Sequence, residues 1–317
     1  MKFSMMRSLL AGLLAGLFAC VLVSHCFAQV NPNQVALLHW YATDQAAVFS
    51  TGGRAPFGIA FDGQNMWIAN NNTQTVSKVR ASDGTLLGTF HVGNQPEGVV
   101  YDGAHVWVTN LLAGTLSEIN PSDGTTLGTF KVGAVPTAIA FDGSSLWVVL
   151  EGDTSVAKVR PSDGAVLLTT RLSGTPLQVA FDGANVWVTL GSGASSVAKV
   201  RVSDGVLLGT YAVGNTPQPV VFDGTAIWVG NSGSSTVTKL RISDGTVLGT
   251  FAVGGVTTLV FDGANIWVGS FNVVQKLRAS DGKSLGSFPL PGQAAGGAFD
   301  GAFVWITIND KGEVAKL

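Results

Sequence analysis

"FDGANVWVT", Phe181 to Thr189, is one of seven near-copies distributed along the chain. Taking the aromatic ahead of each Asp-Gly as the marker, the copies start at Phe61, Tyr101, Phe141, Phe181, Phe222, Phe261 and Phe299, spaced 40, 40, 40, 41, 39 and 38 residues apart. Six positions after each marker stands a tryptophan: Trp67, Trp107, Trp147, Trp187, Trp228, Trp267 and Trp305. Within one copy, four short apolar runs are separated by turn residues. In the third copy these are "TAIAFDG", "SLWVVL", "SVAKVRPSDG" and "VLLTTRLSG". Runs of this length, rich in β-branched and aromatic residues and bounded by Asp-Gly and Ser-Asp-Gly, predict strands rather than helices. The one helical candidate past the first 28 residues is "VALLHWY", residues 35–41.

A four-stranded unit repeated seven times at about 40 residues predicts an all-β, seven-bladed β-propeller of four-stranded antiparallel blades. The repeated tryptophan, on the second strand, is expected to supply contact between blades, since each buried aromatic covers about 150–250 Å². The Asp-Gly step after the aromatic suits a tight hairpin whose glycine takes a positive φ. A second turn, Ser-Asp-Gly, recurs at Asp83, Asp123, Asp163, Asp204, Asp244 and Asp281 and fits a type I turn closed by a left-handed glycine. Thirteen of the sixteen aspartates occupy these two turn positions, which favours a structural role for them over calcium ligation or catalysis. The last copy stops at Leu317 without a fourth strand, so the segment Ala46 to Ser50 is expected to complete that blade and close the ring.

The chain begins with Lys2 and Arg7 ahead of an apolar run from Leu9 to Val23, followed by "CFA" at Cys26 to Ala28. This predicts a Sec signal peptide cleaved after Ala28, hence a periplasmic or secreted domain from residue 29 to 317 with no stable membrane insertion. Cys20 and Cys26 would leave with that peptide, which removes disulfides, thiolate metal sites and cysteine nucleophiles from consideration. The 46% apolar content argues against disorder, and 12% charged residues with a net charge of −2 provide no basic face for nucleic acid.

The "WVTN" at Trp107 to Asn110, preceded by "VGNQPEGVVYDG" and followed by "LSEINPSDGTTLGTF", resembles the YVTN-repeat β-propeller family of bacteria and archaea. The likeness covers roughly residues 44 to 317. It implies an extracytoplasmic propeller scaffold with binding or surface roles and no shared activity. Neighbouring propeller families include lactonases and virginiamycin B lyase, which makes a metal-dependent hydrolase or a lyase the rival expectation.

The two frame turns lie at one end of such a ring. Blade-to-blade links and the loops between second and third strands lie at the other, where sequence differs most among the copies. Aligning the links places one side chain per blade at the mouth of the central channel: Phe57, Glu97, Thr137, Leu177, Gln218, Thr257 and Ala295, the first six forming the candidate ligand site. Other loop positions on that rim include Asn70, Asn110, Glu151, Asp153 and Asn231. Under the rival reading, Glu97, Asn110, Glu151 and Asp153 would converge on a calcium ion. A lyase would want a histidine base, yet His39, His91 and His105 all fall outside the inner ring. No serine has a candidate base, and no glycine-rich loop precedes a helix, so no cofactor is expected. The expected partner is a protein, glycan or small molecule at the loop face of a monomer. Third-strand pairs such as Lys78 with Arg80 and Lys239 with Arg241 suggest arginines bonded to turn aspartates, with lysines holding exposed edges apart.

Overall fold

The computed structural model describes residues 46–317 except Ser192; the expected signal peptide, its cleavage site and the segment 35–41 lie outside the described residues. The described residues form seven antiparallel sheets of four strands each, and the sheets follow one another as the blades of a β-propeller. Blades 1 to 6 run in sequence order over residues 56–91, 96–131, 136–171, 176–212, 217–252 and 258–289. Blade 7 takes three strands from residues 294–316, and its outermost strand is Ala47–Ser50, paired antiparallel with Glu313–Lys316. The ring therefore closes as expected, and the edge of the last blade is covered by the start of the described chain.

Blade 3 shows why these segments become strands. Its second strand, Leu146–Leu150, is buried at every position because both of its faces meet neighbouring blades. Its fourth, Val166–Arg171, alternates exposed and half-buried residues because only one face is covered. The cores lie between blades: Trp147, Val149 and Val156 of blade 3 pack with Val179, Val186, Val188 and Ala198 of blade 4.

Each of the seven tryptophans donates its indole N–H to the aspartate of its own Asp-Gly turn, at 2.7–2.8 Å. The other oxygen of the same carboxylate accepts backbone N–H groups two and three residues on, as Asp223 does from Thr225 and Ala226. Burial opposes the charge of Asp142, Asp223 and Asp262. The indole, side-chain and backbone donors outweigh it, and all three carboxyls titrate below the ordinary value.

The lysines correct the sequence expectation. They do not stand in water at free edges. Lys78, Lys158, Lys239 and Lys316 lie over tryptophan rings and donate at 2.6–2.7 Å to backbone carbonyls of the following blade: those of Pro121, Val202, Ala279 and Ala81. Lys199 does the same with Ile242. A long stem through an apolar seam with its ammonium on carbonyls is a physical staple between blades. The arginines behave as expected, pairing with turn aspartates at 2.8–3.6 Å on the exposed side.

One glycine per Ser-Asp-Gly turn is required twice over. Gly245 has φ +71°, and a Cβ there would come within 2.1 Å of the Tyr211 ring of the preceding blade. The same contact joins Gly84 to Phe49, Gly124 to Phe90, Gly164 to Phe130 and Gly282 to Phe251.

Asp223→Ala strands the Trp228 indole, two backbone donors and Lys239 together, so denaturant unfolding should show a loss of about 3 kcal/mol. Arg241→Ala, which removes an exposed pair, should cost less than about 1 kcal/mol. Because the carboxyls of Asp142, Asp223 and Asp262 titrate below their unfolded value, their contribution holds above the unfolded pKa and disappears as pH falls through the folded one. The difference between Asp223→Ala and wild type should therefore shrink in acid.

Candidate functional site

The first strands of the seven blades line the central channel, and their first residues sit at its loop-face end. There they enclose a cavity of about 190 Å³. Glycines set how narrow it is: a Cβ on Gly58 would meet the carbonyl oxygen of Glu97 at 2.1 Å, and one on Gly296 would meet that of Phe57 at 2.1 Å. The wall includes Phe57, Glu97, Thr137, Thr257 and Ala295, five of the seven positions aligned from the links. In blade 4 Gln178 lines the cavity, and in blade 5 Pro219 does. Leu177 turns toward its own second strand, against Gly191, and Gln218 is exposed, accepting a bond from Ser232 at 3.3 Å. The next position separates the blades: it is small where the aligned residue lines the wall, as at Gly58, Gly98, Ala138 and Gly296, and it is Gln178 or Pro219 in blades 4 and 5, while the first-strand register slip is common to blades 1 to 5 and 7.

Among the described residues, Glu97 is the one titratable side chain in the wall. Among the described residues no hydrogen bond or ion pair engages its carboxyl. Burial, with the negative charge of Glu151 added, raises its pKa to about 7. Thr137 and Thr257 donate their hydroxyls to the carbonyls of Leu177 and Gly269, both at 3.1 Å, leaving lone pairs on the oxygens.

Three asparagines aligned to the rim are instead frame residues. Asn70, Asn110 and Asn231 are fully buried, and each gives its amide to two hydroxyls on the third strand, Asn110 to Thr115 at 3.1 Å and Ser117 at 2.9 Å. Each also packs against a link glycine, Gly53, Gly93 or Gly214. Asp153 accepts from the backbone N–H of Ala134 at 2.7 Å, fastening the link before blade 4's predecessor to its loop. Of the four residues considered for a metal, Glu97 and Glu151 alone keep unengaged carboxylates; among the described residues no group of three His, Cys, Asp or Glu could hold a metal ion. His105 lies at the opposite end, 2.9 Å from Glu118, and His91 is exposed on an outer strand.

The raised pKa of Glu97 is a stability statement. Between the ordinary carboxyl value and about 7 the folded state holds a proton that the unfolded chain has lost, so stability falls as pH rises across that window and levels off above it. Glu97→Gln should therefore raise the melting temperature at pH 8 by the equivalent of about 2–3 kcal/mol and leave it unchanged at pH 4.

No family model matches the chain, and no curated protein matches it. Among solved structures, hydrazine synthase of Kuenenia stuttgartiensis is similar over 84% of this chain and 96% of that one, with a TM-score of 0.71 and 18% sequence identity. That likeness is one of fold: the chain is a seven-bladed β-propeller.

Proposed function

We propose that this chain is an exported propeller whose work is binding, with a ligand seated at the loop-face mouth of the central channel. The observation that carries this reading is where the backbone is strained. Eight described non-glycine residues have φ between +42° and +57°: Ala55, Gln95, Val135 and Thr216 in links, Gln74, Thr154, Ser195 and Ser235 in loops between second and third strands. All eight lie at the end where the cavity sits. At the opposite end the left-handed positions of the repeated turns belong to glycines such as Gly63, Gly84, Gly143 and Gly164. A left-handed non-glycine residue costs about 1–3 kcal/mol, and Val135, Thr154 and Thr216, β-branched, are the costliest kind. Strain kept at one end by a frame that is relaxed at the other supports selection for loop shape there. Export rests on the signal-like leader, and the YVTN-type resemblance agrees with a surface or binding role. The metal-dependent hydrolase is the weaker reading, since Asn110 and Asp153 are engaged in holding the frame and the loop.

A panel of cationic, anionic, neutral and sugar-like small molecules, screened by ligand-observed NMR, tests the reading. Hits should disappear in Gln178→Trp, which fills the mouth from the wall, while its melting temperature stays within a few degrees of wild type. Hits that survive in that variant would contradict it.

A further inference from the structure

Among the described residues the cavity has one charged wall residue and no counter-charge to answer it. Glu97 projects from the first strand of blade 2, partly buried, with no cation, indole or backbone donor on its carboxyl among the described residues. A carboxylate withdrawn from water without a partner is unfavourable, and one supplied with a cation is not. Glu151, beyond the second strand of blade 3, acts on Glu97 with the same sign and deepens the negative potential at the mouth.

Other charged groups of this face stand apart from the wall. Arg54 comes from the link before blade 1, and Asp153 is bonded to Ala134. In blade 7 Asp310 accepts from Gln293 and lies 3.7 Å from Lys311. His91, Lys131 and Arg171 end outer strands. None of these lines the cavity.

Size and donor chemistry narrow the class of cation. At about 190 Å³ the cavity is below the roughly 300 Å³ at which drug-sized ligands are usually held, so it suits a group of side-chain size. A calcium ion would want six to eight oxygen ligands, and the wall offers a single carboxylate. An ammonium head needs acceptors only, three at most, and Glu97, Thr137, Thr257 and Gln178, which all line the cavity, carry oxygens able to serve as such acceptors. Phe57, Pro219 and the aliphatic residues behind them are apolar surface for a methylene stem.

We propose that the channel mouth receives a primary alkylammonium group, a lysine side chain or a free aliphatic amine, with Glu97 as its counter-ion and Glu151 as the second negative charge that draws it in. This rests on the channel-mouth reading above and deepens it. Binding of the cation requires Glu97 ionised, so affinity should rise by about tenfold from pH 6 to pH 8, since a carboxyl titrating near 7 goes from mostly protonated to mostly charged across that interval.

The test is isothermal titration of residues 29–317 with n-hexylamine and with Nα-acetyl-lysine N-methylamide. Each is set against its uncharged counterpart, n-hexanol or Nα-acetyl-norleucine N-methylamide, at pH 6 and pH 8, with calcium chloride alone as a further ligand. The expected result is binding of one or both amines, tighter at pH 8, weakened at least tenfold in Glu97→Gln and less in Glu151→Gln, with no binding of the uncharged pair. Preference for the acetyl-lysine amide would assign a peptide ligand, and preference for hexylamine a free amine. Uncharged analogues binding as well as the amines would overturn the cation inference and leave the mouth as a binding site. Glu97-dependent binding of calcium without the amines would replace it with a metal site. Failure of both amines at millimolar concentration in wild type would overturn it outright. The channel-mouth reading itself fails only if ligands found by screening ignore the filled mouth of Gln178→Trp.

Discussion

A tryptophan buried on both faces still carries an N–H that must be answered, and in every blade that N–H goes to the aspartate of the turn five residues back. The rest of the ring depends on this bond. It fixes the indole as a flat wall between two cores, and it makes a carboxylate acceptable in a partly buried turn. In blades 3, 5 and 6 the same aspartate also lies 3.6–3.8 Å from the lysine that crosses the ring, so indole, carboxylate and ammonium form one unit. Five lysines then carry the linkage to a carbonyl of the next blade. Blade 2 has Glu118 at the lysine position, and His105 answers it locally.

This arrangement gives the molecule two unlike ends. At the turn end, left-handed positions are glycines, aspartates are satisfied and neighbouring blades are keyed by an aromatic resting on a glycine. At the loop end, non-glycine residues hold left-handed conformations, links differ from blade to blade, and a carboxyl sits unpaired in a narrow cavity. Stability that accumulates at one end can support strain and an unfavourable charge at the other.

The architecture could be read from the sequence because the repeat is dense: seven tryptophans at a fixed offset and thirteen turn aspartates leave few alternatives. Closure by Ala47–Ser50 was legible for the same reason, as a missing strand must come from somewhere. The indole–carboxylate bond was less legible, although the constant spacing of Asp and Trp was in view, because two residues on either side of a hairpin do not announce that their side chains meet. The lysine role was misread because alternation along a strand gives a face but not what stands opposite it; a neighbour 40 residues on does so here. At the mouth, alignment found Phe57, Glu97, Thr137 and Thr257 yet misplaced Leu177 and Gln218, whose blades carry a larger residue, Gln178 or Pro219, at the next position and present that one to the cavity. Asn70, Asn110 and Asn231 looked like rim residues by composition, but a second-strand position followed by hydroxyl-bearing third strands buries them.

The most direct measurement of the frame is hydrogen exchange of the tryptophan indoles, followed one by one in 1H–15N NMR spectra. If every blade carries the bond described, the Nε1–H groups of Trp67, Trp107, Trp147, Trp187, Trp228, Trp267 and Trp305 exchange only through large-scale opening of the ring, over hours or longer and at similar rates. Several of these seven exchanging within minutes, while the strand amides around them stay protected, would contradict the account.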